Sequence, residues 1–181
     1  MLQVTTHPSP LGELILACRG DALAGLWLTR PDFEAATRDR AVEEKADAPV
    51  LKLARAWLDA YFAGRRPAIG DLPLAPEGTG FRQLVWKLLC AIPYGECATY
   101  GDIARQAAAA MRKERMSSRA VGGAVGHNPI SIIIPCHRVV GAGGNLTGYG
   151  GGIDCKIRLL ELEGVDTARF SLPRSGKYAV R

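Results

Sequence analysis

The sequence predicts an α+β protein of two domains, with a sheet and helices in residues 1–76 and a mostly helical second domain in residues 77–181. Three observations predict this fold class. Two apolar runs flank the turn residues Arg19-Gly20-Asp21 and indicate a β-hairpin. Proline and glycine interrupt the helical periodicity between Pro67 and Gly80, where we place the domain boundary. Capped helical segments then follow one another closely and suggest a helix-turn-helix.

In the first domain, the apolar runs at residues 14–17 and 23–28 form the two strands of the predicted hairpin. A charged, amphipathic pattern predicts a helix from Phe33 to about Lys45. Apolar residues recur at helical spacing between Val50 and Phe62, so a second helix is expected there. Gly64 follows it and is a plausible residue for the left-handed position just past a helix end.

In the second domain, each predicted helix begins at a residue that can cap it. Thr79 precedes an apolar helical pattern that the segment 93–95 stops. Thr99 and the acid three residues later have the spacing of a capping box, and they begin the next helix. A third helix follows the cap Ser117-Ser118 and ends at Asn128-Pro129, because a residue before proline is disfavoured in a helix.

The net charge of +5 is concentrated in the second half of the chain. Residues 1–75 hold nine basic and ten acidic side chains, whereas residues 76–181 hold fourteen and eight. A basic bias confined to one domain favours a polyanionic partner, and nucleic acid is the first candidate.

Five cysteines, an odd number, indicate free thiols in a reducing compartment. The chain has no secretion-like leader after Met1 and no apolar run near the length of a membrane span, so we expect a cytoplasmic protein, or a nuclear one in a eukaryote. The cysteines have neither CxxC pairing nor histidines at zinc spacing, and we expect no metal.

Cys136 and His137 form the strongest chemical signal, a thiol and an imidazole inside an apolar stretch. A buried cysteine is usually inert, because burial raises the pKa of a thiol. A reactive one needs a base or a cation, and His137 and Arg138 follow at once. Neighbours on an extended segment point to opposite faces, so contact between Cys136 and His137 requires a turn or a bridging water.

The third helix contains Gly122, Gly123 and Gly126, each of which costs roughly 1 kcal/mol relative to Ala. Such a helix suits a close approach to its backbone, either by another helix of the same domain or by a partner. Arg119 favours a partner, because a cation in the first turn faces the positive end of the helix dipole.

An ordinary helix is about 10–12 Å across and does not fit the roughly 6 Å minor groove of DNA. A helix whose exposed face is Ala120, Gly123 and Ala124, or their neighbours, can enter a widened minor groove, with Arg119 as a wedge in the base stack. The sequence therefore predicts a DNA-scanning helix that extrudes a base into the pocket holding Cys136.

Several motifs from about Thr79 to Gly164 together resemble the O6-alkylguanine-DNA alkyltransferases, also called methylated-DNA–protein-cysteine methyltransferases. The motifs are Asn128-Pro129-Ile130, Ile134-Pro135-Cys136-His137-Arg138-Val139-Val140, Gly148-Tyr149, Gly151-Gly152 and Leu159-Leu160-Glu161-Leu162-Glu163-Gly164. The cysteine motif is highly specific. Through Pro10-Leu11-Gly12 and the hairpin, residues 1–76 also resemble the family's ribonuclease-H-like N-terminal domain, with an antiparallel sheet and helices.

The resemblance implies direct, single-turnover DNA repair without a cofactor. Cys136 takes an alkyl group from guanine O6, with thymine O4 as a further candidate, in one irreversible displacement. His137 then acts through a water as the base for Cys136, and Glu163 orients His137. Asn128 corresponds to the hinge between the recognition helix and the active-site loop, although an Asn-Pro pair also simply ends helices.

The remaining site residues follow from the same resemblance. Tyr100 helps to rotate the target nucleotide and hydrogen-bonds guanine N3, and Arg119 is the intercalating side chain. The substrate pocket consists of Tyr100, Val139, Tyr149 and Gly150, whose backbone N–H faces O6. The helix that contacts DNA contributes Ser118, Arg119, Ala120, Gly122 and Gly123.

One segment departs from the family. Relatives join the two helices through a short turn with Gly or Pro, whereas residues 107–116 contain neither. We expect a longer second helix or an enlarged loop, in which Arg112, Lys113 and Arg115 either contact phosphates or form a solvated face.

The expected partner is double-stranded DNA carrying O6-alkylguanine, bound by a monomer without a membrane or a required protein partner. Three other classes stay open. A cysteine hydrolase has the same Cys and His but turns over repeatedly. A non-catalytic lesion-binding module normally lacks the cysteine, and a plain helix-turn-helix regulator explains only the charge.

Overall fold

The structure is a computed structural model and describes residues 1–172. The chain forms two compact units. The first contains Met1–Glu77 and the short segment Pro129–Ile133, and the second contains Gly78–Asn128 and the chain from Ile134 onward. The chain therefore leaves the second unit at Asn128 for five residues. No helix within residues 1–172 is both long and apolar enough to span a lipid bilayer.

A four-stranded sheet forms the first unit. Its strands are β1 (Leu2–Ser9), β2 (Gly12–Arg19), β3 (Ala22–Trp27) and β4 (Val42–Glu44), in the order β3-β2-β1-β4. β1, β2 and β3 are antiparallel, which confirms the predicted hairpin, and the edge strand β4 runs parallel to β1. The sheet is thus mixed and not wholly antiparallel.

Two helices accompany this sheet, α1 (Arg30–Thr37) and α2 (Pro49–Phe62). α2 agrees with its predicted bounds, and Gly64 has the expected positive φ of 74°. The predicted helix from Phe33 to Lys45 is wrong in its second half, because α1 ends at Thr37. The chain beyond it pairs with β1, through hydrogen bonds such as that from Lys45 N to Val4 O at 2.9 Å. Sheet pairing between distant residues thus overrides the local helical pattern.

Up to residue 172, the second unit contains four α-helices: α3 (Gly80–Cys90), α4 (Tyr100–Ala110), α5 (Ser118–Gly126) and α6 (Ile153–Leu162). The predicted caps Thr79, Thr99 and Ser117 are confirmed, and Thr99 forms a full capping box with Asp102. Two short parallel strands, β5 (Ala98–Thr99) and β6 (Val139–Val140), join α4 to the segment that follows Cys136.

Trp86 fixes α5 to α3. Its indole Nε1 donates a 2.9 Å hydrogen bond to the carbonyl oxygen of Ala124, and the side chain is fully buried. Val121 and Val125 lie on the same buried face of α5. This face places the start of α5, and with it Arg119, on the exposed side of the helix pair.

The segment between α4 and α5 is an enlarged loop, because α4 ends at Ala110. The N–H groups of Arg112 and Lys113 donate to the carbonyls of Ala109 and Ala108, and Arg112 adopts a φ of +54°. This pattern of two bonds commonly ends helices and usually has Gly at the left-handed position. A non-glycine residue there costs roughly 1–2 kcal/mol.

Two tight turns precede Cys136. Ile133 N donates to Ser131 O at 2.8 Å around Ile132, whose φ is +69° although its side chain is β-branched and buried. Cys136 N then donates to Ile134 O at 2.8 Å around Pro135, which has φ −81° and ψ 63°. Both are γ-turns, and the one with positive φ is the strained form.

Candidate active site

Cys136 begins a single 3-10 turn, Cys136–Arg138, and is 7% exposed. The sequence required a turn or a bridging water between the thiol and His137, and a turn is present. Arg138 N donates to Pro135 O at 3.0 Å, so the backbone is coiled at this point. Because the segment is not extended here, the side chains of Cys136 and His137 need not point to opposite faces.

Asn128 holds the sulfur. Its side-chain Nδ2 donates to Ile134 O at 2.8 Å and lies 3.1 Å from Cys136 Sγ. These bonds join the last residue before the excursion Pro129–Ile133 to the first residues after it. An amide donor at this distance also stabilises a thiolate more than a thiol.

Glu163 is the centre of a buried hydrogen-bond network at the C-terminus of α6. Its carboxylate accepts from His137 Nε2 at 2.8 Å and from Gly95 N at 3.2 Å. Arg138 adds a two-point contact, with Nε and Nη2 at 2.8 and 2.9 Å from the two carboxylate oxygens. Burial acts to raise the pKa of Glu163, but His137 and Arg138 outweigh it and lower the pKa to about 2.

The ionised state of Glu163 fixes the protonation of His137. A carboxylate can only accept, so Nε2 of His137 carries the hydrogen of this bond. Burial lowers the pKa of His137, and the bond to Glu163 opposes that effect only in part. His137 is therefore neutral at neutral pH, with its basic lone pair on Nδ1.

Lys156, on α6, is a site residue that sequence reasoning missed. The side chain is fully buried, and Nζ donates to Val139 O at 2.5 Å and to Thr147 O at 3.0 Å. Burial lowers the pKa of Lys156 to about 8, while the thiols of Cys136 and Cys97 act to raise it. The available signal was its spacing, because it lies one turn from buried Ile153 and from Leu159 on the same helix face.

Lys156 is the cation whose charge acts on Cys136. Sequence reasoning gave that role to Arg138, but the Arg138 guanidinium contacts Glu163 and donates to Ile92 O at 2.6 Å. Burial raises the pKa of Cys136, and the Asn128 hydrogen bond and the Lys156 charge oppose the rise. The site thus restores part of the acidity that the apolar pocket removes.

An open cleft of about 610 Å³ lies at the start of α4 and α5. Tyr100 and Arg119 line it together, with Ser118 and Gly122 beside them. Cys136 is not one of its lining residues. The structure therefore brings the predicted nucleotide-rotating and intercalating side chains to one opening.

The predicted pocket residues occupy different depths. Val139 is buried, and its carbonyl accepts from Lys156. Tyr149 is buried with its ring edge-on to His137, at 6.5 Å between ring centroids. Gly150 is exposed. Within residues 1–172, no three His, Cys, Asp or Glu side chains are grouped closely enough to hold a metal ion.

The exposed face of α5 differs from the prediction at one position. Ala120 and Gly123 are exposed, as expected, but Ala124 is 3% exposed because it faces Trp86. Gly126 is exposed instead. A Cβ added at Gly123 or Gly126 meets open space, so these glycines are not explained by helix packing inside the domain.

Comparison with known proteins gives matches over both units. The family model described as the 6-O-methylguanine DNA methyltransferase ribonuclease-like domain matches residues 2–76, and the DNA binding domain of the same family matches residues 80–165. A methylated-DNA–protein-cysteine methyltransferase of Haemophilus influenzae is 40% identical over 90% of this chain and 86% of its own length. The Mycobacterium tuberculosis protein of that name is 46% identical, over 90% and 93%.

The same similarity extends to solved structures. A crystal structure of Mycobacterium tuberculosis OGT in complex with DNA matches with a TM-score of 0.75 and 44% identity, covering 93% of this chain and 94% of the other. The resemblance that the cysteine motif indicated is confirmed, as is the α+β class. Because the matches cover nearly the whole chain and both units, the protein belongs to the 6-O-methylguanine DNA methyltransferase family.

Proposed function

We propose that the protein repairs duplex DNA by moving an alkyl group from O6 of guanine to Sγ of Cys136. The main observation that supports this proposal is the position of that sulfur, 3.1 Å from Nδ2 of the Asn128 amide. The next two residues, His137 and Arg138, belong to the buried hydrogen-bond network around Glu163. A thiol placed for inert packing needs none of these polar groups, each of which is costly to bury.

The reaction is a single displacement. The Cys136 thiolate attacks the alkyl carbon, a sulfur–carbon bond forms, and the bond from that carbon to O6 breaks. The electron pair stays on the base, which is the leaving group; after protonation it is an unmodified guanine that remains part of the DNA. The thioether cannot be displaced again by this route, so each protein molecule acts once.

His137 receives the thiol proton on Nδ1 through a water, and the Glu163 carboxylate stabilises the imidazolium that forms. Neutral His137 is competent for this step, which the lowered pKa of the imidazole supports. Lys156 offsets part of the cost of a thiolate in an apolar pocket. No cofactor takes part in these steps.

The base that leaves carries developing negative charge, which a hydroxyl donor relieves. We assign this donor role to Tyr100, which lines the cleft at the start of α5. Val139, Tyr149 and Gly150 form the walls around the base, with the Gly150 N–H toward O6. Alkylated guanine is then the substrate class.

DNA approaches the exposed face of α5. Glycines that meet open space suit close contact with a nucleic-acid backbone, and their position supports entry of this helix into a widened minor groove. Arg119 fills the stack when the damaged base is extruded. Ser118, Ala120, Gly122 and Gly123 complete the contact surface.

In this proposal residues 77–181 carry both DNA binding and chemistry, and residues 1–76 form the ribonuclease-H-like domain. One copy suffices for one lesion, so a monomer acts without a protein partner. Five free thiols suit the reducing environment of a cytoplasm or nucleus.

The test is the intact mass of the protein after mixing with duplex DNA that contains O6-methylguanine. We expect one methyl group per molecule, located on Cys136 by peptide mapping, and no turnover beyond one equivalent. Cys136→Ser is the matched control and should bind the lesion without being modified, since a hydroxyl keeps the shape without the low-pKa nucleophile. Repeated turnover indicates a hydrolase, and an unmodified wild type indicates a binding module.

A further inference from the structure

The loop Met111–Ser117 is a cationic segment that the proposed reaction does not use. It carries Arg112, Lys113 and Arg115 against one acid, Glu114, and all four side chains are exposed. We call it the basic loop. It directly precedes α5, so its backbone is tied to the start of the helix that carries Arg119.

The backbone of the basic loop does not favour arginine at its first turn. Arg112 has a φ of +54°, the left-handed region in which glycine is least strained. Its N–H and that of Lys113 close the end of α4, and this closure needs no side chain at position 112. The Arg112 side chain is therefore carried at a position where the fold favours glycine, which points to a role outside the fold.

Part of the basic loop faces α4 across a cleft of about 430 Å³, which we call the loop cleft. On the α4 side its wall is made of Arg105 and of small residues such as Gly101, Ala104 and Ala108. On the loop side Lys113 and Arg115 line it, with Glu114 as the single acid. The result is a concave surface lined by small residues of α4 and by more cations than acids.

The loop cleft adjoins the cleft that holds Tyr100 and Arg119. The two share Gly101, Arg105 and Ser118 as lining residues. Arg105 is in ion-pair contact with Asp102, so the unbalanced positive charge belongs to the basic loop. Cations on this loop and Arg119 on α5 thus reach the same side of the second unit.

We propose that the basic loop is a second DNA contact, which binds the phosphodiester backbone beside the stretch that α5 enters. The inference rests on the proposed function in that duplex DNA is the partner. A DNA strand that lies along α5 continues past Gly101, Arg105 and Ser118 into the loop cleft. There Lys113 and Arg115 meet phosphate oxygens, and Arg112 adds a contact from the outer side of the loop. The loop reads no sequence and holds the duplex while α5 scans it.

The first test compares two double variants in binding to a short undamaged duplex over a range of KCl concentrations. Lys113→Ala/Arg115→Ala removes two loop cations. Lys87→Ala/Arg158→Ala removes two cations of the same unit that are also exposed and line neither cleft. Each lost phosphate contact lowers the slope of log affinity against log salt by about 0.9. The slope of the loop variant should therefore be smaller than that of the wild type by up to about 1.8. The control should keep the wild-type slope.

The second test separates charge from fold at Arg112. Arg112→Gly suits the backbone at that position, so the variant should melt at the wild-type temperature or above it. We expect its salt slope to fall by about 0.9, and Arg112→Lys to keep the wild-type slope, since it retains the charge.

The proposal is overturned if neither loop variant lowers the salt slope, or if the control lowers it as much. It is supported if either loop variant lowers the slope and the control does not. Methylation of the wild type by O6-methylguanine duplex is measured in parallel. If the wild type is methylated and the loop variants have the wild-type salt slope, the loop contact is rejected and the proposed reaction stands. A wild type that is never methylated removes the proposed reaction, and the salt series on undamaged duplex still decides the loop contact.

Discussion

Replacing Glu163 by glutamine tests the buried network behind the active site. The carboxyl pKa falls from its ordinary 4.5 to about 2 in the folded protein. At about 1.4 kcal/mol per pKa unit, folding favours the ionised form by about 3 kcal/mol. Glu163→Gln removes this charge and leaves Arg138 buried without its anion, a loss that typically costs about 3–5 kcal/mol.

The loss depends on pH in a defined direction. A carboxyl with a lowered folded pKa stabilises the protein fully above its unfolded pKa, and this stabilisation disappears as pH falls through the folded value. The unfolding free energy of the wild type should therefore fall toward that of Glu163→Gln between about pH 4.5 and pH 2.

Urea unfolding followed by circular dichroism at pH 7 and pH 3 measures the two differences. Asp102→Asn is the matched control, because its hydrogen bonds with Thr99 also lower the pKa of an acid in the same unit, but at a partly exposed helix cap. Its deficit should be much smaller, since an N-terminal cap typically contributes about 1 kcal/mol. A Glu163→Gln deficit that is equal at pH 7 and pH 3 would refute the ionised network.

Three further predictions concern the thiol and the DNA face. Lys156→Met should shift the pH profile of alkylation by free O6-benzylguanine upward, because the thiol loses a neighbouring positive charge; an unchanged profile contradicts the assignment. Arg119→Ala should slow repair of duplex DNA far more than reaction with that free base, which needs no extrusion, and equal losses would give Arg119 a role in folding. Gly123→Ala should raise the unfolding free energy by about 0.5–1 kcal/mol yet weaken duplex binding, because the added Cβ meets open space in the free protein; undiminished binding contradicts minor-groove entry.

Signals that act within a few residues were predictable from the sequence. The caps Thr79, Thr99 and Ser117 lie where expected, because a side-chain oxygen that accepts from the next turn is a local requirement. The strand β4 was not predictable in this way. Its three residues are all exposed and pair only with β1, which begins forty residues earlier in the sequence. No local periodicity marks such a strand.

The candidate site was predictable in part. The motifs indicated Cys136, His137, Asn128 and Glu163, and the structure brings these side chains into one unit. Lys156 was not predicted, because a lysine among the charged residues of an amphipathic helix is usually solvated. Only the carbonyls of Val139 and Thr147, which the fold turns toward the lysine, make its burial tolerable. The roles of all these residues stay predictions until the variants are measured.

If α5 binds DNA as proposed, its contacts separate stability from binding. Three glycines in a nine-residue helix cost roughly 1 kcal/mol each, so the helix is weak by itself. Its anchors lie elsewhere: the Ser117 cap accepts from the first turn, and the buried face holds Val121 and the Trp86 hydrogen bond. Gly123, by contrast, faces open space. In the proposed minor-groove contact, a side chain that strengthened the helix there would occupy the space that the DNA enters, which accounts for a helix stabilised from its buried side and its cap.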